Sequence, residues 1–188
     1  CTHEPCLYYK FDDNGDITAI LRQVDDFLVL NKDATQCDAI GKSIQDRMTF
    51  PLNELGTVKR FNGIDIKQTR NFNHISCETY IEKICEHHGW TNLQTRAIPT
   101  PMRSDSEYMA SIQLSKGPES PNEKRKLQKK MKFNYRQAIG ELIYAHTVCR
   151  VDISVAVITL SQHSSNPAQI HYEAVKNLFA YLYATKDQ

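Results

Sequence analysis

Val24-Asp25-Asp26-Phe27 lies between two apolar runs, Ile17 to Leu21 and Phe27 to Leu30. Two β-forming runs around an acidic dipeptide predict a hairpin with Asp25 and Asp26 at its tip, beside Val24. Paired carboxylates are hard oxygen ligands. Mg²⁺ takes one or two of them with substrate phosphates in preference to a full protein cage. Aspartate is also a favoured turn residue with no chemical task. The local pattern leaves both readings open.

Working outward, Leu7-Tyr8-Tyr9-Lys10 and Ile17 to Val24 read as strands joined by an Asn14-Gly15 turn. The run Asp12-Asp13-Asn14-Gly15-Asp16 spaces its acids like a calcium loop. However, Gly15 is out of place and Gln23 stands where the closing Glu would fall. Ile40, Ile44 and Met48 mark one face of a helix from about Ala34 to Met48, with Asp33 as its N-cap. Val58 to Ile66 and Asn73 to Cys77 are further strand candidates around Thr69-Arg70-Asn71. Glu78 to His88 forms a short amphipathic helix burying Tyr80, Ile81, Ile84 and Cys85. His87 and His88 before Gly89 suit a helix ending in a left-handed residue.

From Thr95 to Lys132 the periodicity dissolves into prolines, serines and the cluster Lys124-Arg125-Lys126 to Lys132, which reads as a mobile linker. Three helices are expected after it. Tyr135, Ile139, Leu142 and Ile143 line the first, and Asp152 caps the second, which carries Ile153, Ala156, Val157 and Leu160. The third has Pro167 at N1 and buries Ala174, Val175, Leu178, Phe179 and Leu182. A strand-rich part, a linker and a helical part make an α+β arrangement of two subdomains.

At 188 residues and 40% hydrophobic, the chain can bury a core. No apolar run reaches the roughly 18 residues of a membrane span, and no secretory signal opens the chain. It starts at Cys1 rather than Met, as expected for a piece of a longer reading frame. Net charge is +1, unevenly spread: residues 1–98 hold 11 basic and 14 acidic side chains, 99–132 hold 8 and 4, and 133–188 hold 4 and 4. The central excess can meet a polyanion or can be an ordinary solvated segment. The six cysteines show no pairing framework, and free thiols are expected. Cys77, Cys85, His87 and His88 lack the paired spacing of a structural zinc site.

Several separated motifs then agree. Cys6-Leu7-Tyr8-Tyr9-Lys10, Val24-Asp25-Asp26-Phe27-Leu28-Val29, Leu55-Gly56, Phe61-Asn62-Gly63-Ile64-Asp65-Ile66 and Tyr80-Ile81-Glu82-Lys83 resemble the reverse transcriptase of copia-type LTR retrotransposons. The resemblance continues through Pro99-Thr100-Pro101-Met102, Tyr135 to Tyr144, Arg150-Val151-Asp152-Ile153 and Asn166-Pro167 to Tyr181-Leu182. It covers nearly the whole chain in order.

The resemblance implies an RNA-directed DNA polymerase of right-hand fold. Residues 1–94 would be a palm portion with the catalytic hairpin, the primer grip and the start of the thumb. Residues 95–132 would be a flexible basic linker, and 133–188 a helical thumb or connection subdomain. Asp25 and Asp26 match the metal-binding aspartates, and Gln23-Val24-Asp25-Asp26 takes the place of the family's Tyr-x-Asp-Asp hairpin. Phe61-Asn62-Gly63-Ile64 matches the primer grip, with Gln23 close to the primer terminus. Lys124, Arg125, Lys126, Lys129 and Lys130 are candidates for phosphate contact.

The implied cofactor is a pair of Mg²⁺ ions about 4 Å apart, which clamp the attacking 3′ oxygen and the leaving pyrophosphate oxygen. The implied partners are an RNA template with a DNA primer, dNTPs and the rest of a polyprotein, with fingers upstream and ribonuclease H downstream. The implied setting is intracellular, in a cytoplasmic virus-like particle with a nuclear phase.

Two carboxylates carry too little charge to hold both ions. The family's third aspartate belongs to an earlier strand, so the isolated chain is expected to be inactive. Gln23 stands where the family has Tyr, Asn62 where Leu is common and Val151 where Pro is common. These departures remove no metal ligand. They also admit an alternative, a degenerate or domesticated remnant that binds nucleic acid or a protein without catalysis.

Overall fold

The structure is a computed structural model that describes residues 1–93 and 99–187. It divides into two compact units, Cys1–Asn62 and Gly63–Gln188.

In the first unit β1 (Leu7–Phe11), β2 (Ile17–Gln23) and β3 (Asp26–Leu30) form an antiparallel sheet in that order. Their alternating apolar residues fix the register, Leu7 opposite Leu21 and Leu21 opposite Leu28. The β1–β2 turn closes through Asp12, whose Oδ1 accepts from Asn14 N at 2.9 Å and Asp16 N at 2.8 Å. Asp12 thus works as a turn former. Helix α1 (Ala34–Gln45) starts at Asp33, whose Oδ1 accepts from Thr35 N at 2.9 Å. It ends one turn before the expected Met48, and β4 (Arg60–Phe61) closes the unit. Ala19 is the one buried apolar side chain among its residues.

The second unit holds β5 (Ile64–Gln68) and β6 (Asn73–Ser76), paired antiparallel with Ile66 opposite Ile75. The expected strand from Val58 to Ile66 is therefore broken at Asn62-Gly63, where both residues have positive φ. Helix α2 (Glu78–His88) ends in Gly89 at φ 68, and it buries Ile81, Ile84 and Cys85. Its N-cap residue, Cys77, makes no capping side-chain bond. Asp65 of β5 does that work from outside the helix, accepting from Thr79 N at 2.9 Å and Thr79 Oγ1 at 3.1 Å.

The segment expected to be a linker contains two helices, α3 (Ser106–Leu114) and α4 (Pro121–Met131). Residues 95–98 of that segment, and the expected subdomain boundary at 94, lie outside the described residues. Ile112 of α3 is wholly buried and Met131 of α4 nearly so. Each helix is thereby held by few apolar side chains, which is why no clear period appears in the sequence.

α5 (Tyr135–Val148), a 3₁₀ turn (Val151–Ile153), α6 (Ser154–Ser161) and α7 (Gln169–Ala184) complete the chain. Ile143 is 43% exposed, and Ala138 and Ala145 take its expected place in the core. Asp152 does not cap α6, because the 3₁₀ turn places Ile153 at that position. Pro167 precedes the N-cap Ala168 and so lies outside α7. α7 buries all five residues expected of it, together with His171, Tyr172, Ala180 and Tyr181. It is the central helix of a core that includes Ile81, Leu142, Ile153, Leu160 and Phe179. Among the described residues no helix is long and apolar enough to cross a membrane.

Candidate functional site

The acidic hairpin closes through a two-residue turn. Gln23 ends β2 opposite Asp26, which starts β3, leaving Val24 and Asp25 as the turn itself. Val24 has φ 57, and Asp25 is not among the positive-φ residues. A positive first central residue followed by a negative one is the pattern of a type II′ turn, where glycine is the usual first occupant. A β-branched side chain there is a steric outlier. Val24 is also 84% exposed, so burial gives the turn nothing in return.

Asp25 and Asp26 are both exposed, one in the turn and one on the first residue of a strand. Among the described residues no group of three or more His, Cys, Asp or Glu side chains is placed to hold a metal ion. The two aspartates by themselves therefore do not fit a two-metal centre.

The second predicted element is also a two-residue turn. Asn62 has φ 49 and Gly63 φ 78, the left-handed pair that makes Asn-Gly the preferred type I′ turn. Asn62 is exposed, while Phe61 and Ile64 on either side are half-buried.

The third is α4. Lys124, Arg125, Lys126, Lys129 and Lys130 all lie exposed on this helix. Leu127 and Met131, one turn apart, form its inward side. Lys130 Nζ donates to Gln169 Oε1 at 2.8 Å. Lys124 and Arg136 line a cleft of about 210 Å³ with Asn134 and Ser164. A rigid helix fixes these cations in space, whereas the expected linker would have left them loosely tethered.

The residues of the zinc-like cluster do other work. Cys77 and Cys85 belong to the core, and burial pushes their thiols up to about 11 and about 12. Neutral thiols are weak metal ligands. His88 stacks on Trp90 with ring centroids 4.2 Å apart, and its Nε2 lies 2.6 Å from Glu141 Oε2. Sequence reasoning gave no role to Asp65 or Tyr144, whose neighbours Thr79 and Gly63 are distant in the chain, nor to Arg150, which bonds both nearby Asp152 and distant Thr185.

The family described as reverse transcriptase (RNA-dependent DNA polymerase) matches residues 1–102. The chain belongs to the reverse transcriptase family. The match is of the copia type and includes both the acidic hairpin and the Asn62-Gly63 turn.

Similarity to individual curated proteins runs further along the chain. The chain is 30% identical to a retrovirus-related Pol polyprotein from transposon TNT 1-94 of Nicotiana tabacum, over 97% of this chain and 13% of that protein. It is 27% identical to a putative transposon Ty5-1 protein of Saccharomyces cerevisiae, over 99% of this chain and 56% of that one. An uncharacterized mitochondrial protein of Arabidopsis thaliana is 27% identical over 88% of this chain and 61% of its own length. The chain thus spans only part of each of these relatives. No solved structure matches it at a significant level.

Proposed function

We propose that this chain is the part of a retrotransposon reverse transcriptase that presents the acidic hairpin and the Asn62-Gly63 turn to a primer end. Asp25 and Asp26 contribute two of the carboxylates that hold catalytic Mg²⁺, and nucleotides are added to the primer 3′-OH opposite an RNA template. The remaining ligands belong to other polyprotein segments, because two carboxylates are too little charge for two divalent ions. The 188-residue chain is on this account inactive by itself. An intracellular setting, a cytoplasmic virus-like particle with a nuclear phase, goes with the same reading.

The observation that carries it is Val24. A β-branched residue at φ 57 on an exposed two-residue turn is costly, and such strain concentrates where function demands a fixed shape. The strain holds Asp25 at the apex of the turn.

The test compares the chain with a longer polyprotein segment, both given an RNA template, a DNA primer, dNTPs and Mg²⁺. The longer segment should incorporate nucleotides and the chain alone should not. Asp25→Asn in the longer segment should abolish synthesis and leave primer-template affinity within about twofold. Robust extension by the chain alone would overturn the incompleteness, and normal synthesis by Asp25→Asn would remove Asp25 from the ligand set.

The exposed cations of α4 favour a second reading, a non-catalytic remnant that binds nucleic acid. It is separated from the first by a longer segment that binds primer-template yet incorporates nothing.

A further inference from the structure

Two cysteines that are distant in the sequence meet in the second unit. Cys77 is the N-cap of α2 and Cys149 the C-cap of α5. The Cys77 thiol donates a hydrogen bond to the Cys149 sulfur, so the two sulfur atoms lie side by side, and both are free thiols. Their surroundings differ. Cys77 is 1% exposed, whereas Cys149 is half-buried and lines a surface cleft with Arg150, Asp152 and Tyr181. Burial pushes the Cys149 thiol up and Asp65 adds to it, while the bond from Cys77 and the Arg150 guanidinium act the other way by favouring the thiolate. At Cys77 the same bond holds the proton on, because Cys77 is the donor. The accessible sulfur is thus the one whose anion is supported, and the buried sulfur stands directly behind it.

We propose that Cys77 and Cys149 form a reversible oxidation site, at which oxidised glutathione converts the thiol pair into a disulfide that braces α2 against α5. Cys149 loses its proton to solvent and attacks one sulfur of the small disulfide. A mixed disulfide forms and one glutathione thiolate leaves. Cys77 then loses its proton and attacks the Cys149 sulfur, and the second glutathione thiolate leaves. The two protein thiols are oxidised by two electrons together, and the small disulfide is reduced to two thiols that take up the two protons. Contact selects the pair, since the second step is intramolecular. Raised thiols make the first step slow, so the exchange follows a sustained oxidising pool and not a brief pulse.

The test incubates the 188-residue chain in native buffer with oxidised glutathione and maps its tryptic peptides by mass. Peptides 71–83 and 137–150 should be recovered joined, and dithiothreitol should separate them. Cys77→Ser should stop at the mixed disulfide, with glutathione left on Cys149. In Cys149→Ser the Cys77 thiol should react roughly tenfold more slowly than Cys149 does in Cys77→Ser, because exposure and thiolate support both favour Cys149. The oxidised chain should unfold at higher urea than the reduced one, since the cross-link closes a long loop and restricts the unfolded chain.

Wild-type peptides recovered unlinked, or joined to other cysteines instead, would overturn the site, and that map decides the matter even if a serine variant fails to fold. Equal rates at the two single cysteines would overturn the order of attack. A urea midpoint lowered by oxidation would overturn the brace.

Discussion

Arg150 grips Asp152 with two parallel hydrogen bonds, Nε to Oδ1 at 2.9 Å and Nη2 to Oδ2 at 2.8 Å. The guanidinium side chain is 5% exposed and the carboxylate 39%. Arg150 also donates to Thr185 O at 3.0 Å and Oγ1 at 2.6 Å, and Tyr181 donates to Asp152 Oδ2 at 2.9 Å. The pair thus ties the end of α7 to the turn before α6. Removing one partner of a buried ion pair costs about 3–5 kcal/mol, and the exposure of Asp152 lowers that here. Asp152→Asn should destabilise the chain by about 2 kcal/mol, and Arg150→Lys by a similar amount because lysine has no planar fork. Urea unfolding followed by Trp90 fluorescence checks both.

His171 should make the chain sensitive to mild acid. Its Nδ1 accepts from Ala168 N at 2.8 Å, so the ring proton is on Nε2, which donates to Ile112 O at 2.8 Å. The ring is fully buried, and burial holds its pKa below the ordinary histidine value. His163 stacks on it with centroids 3.8 Å apart, and burial lowers that ring's pKa too. Below a pH of about 6.5 the unfolded chain takes up protons that the folded chain refuses. Stability should therefore decline as pH falls from about 7 to about 5, a window set by the unfolded imidazole value. His171→Asn should lower stability overall and flatten that slope. A slope as steep in His171→Asn as in wild type would assign the effect to other groups.

The strain at Val24 is directly measurable. A left-handed β-branched residue costs roughly 1–2 kcal/mol, and glycine gives back about 0.5–1 kcal/mol of that in chain entropy. Val24→Gly should therefore strengthen amide-exchange protection across β2 and β3 by up to about 1 kcal/mol. Weaker protection would mean that the side chain supports the turn.

For α4 the variable is ionic strength. Each phosphate neutralised adds about 0.9 to the slope of log affinity against log salt on duplex, and about 0.7 on single strands. Replacing Lys124, Arg125 and Lys126 together with alanine should cut the slope by up to about 2 to 3. An unchanged slope in a titration from low to moderate salt would exclude α4 from the phosphate contacts.

The strands of the first unit and helix α2 were legible because single-period apolar patterns and Asn, Asp or Gly punctuation agree along them. The Asn62-Gly63 turn was not read from pattern, which ran one strand from Val58 to Ile66 straight through it; only the family resemblance set those residues apart. What escaped depends on contacts between distant positions. α4 shows only Leu127 and Met131 toward the core, and its proline and cations resemble those of a linker. Asp65 caps a helix 14 positions further on, which no local pattern reveals. Asp152 follows the rule for a helix cap, yet Arg150 claims it first. The hairpin residues themselves were found by pattern, whereas the strain at Val24 could be seen only in the backbone.

With Ala19 as its one buried apolar side chain, the first unit has an order-of-assembly problem. Chains are made from the N-terminus, and domains usually fold in that order. Here residues 1–62 leave the ribosome before residues 63–188 but bring almost no buried core of their own, while the well-packed helices follow them. Folding should therefore run against the direction of synthesis. The acidic hairpin would take its final form late, and a ribosome stalled after residue 62 would carry a nascent chain still open to chaperones and proteases.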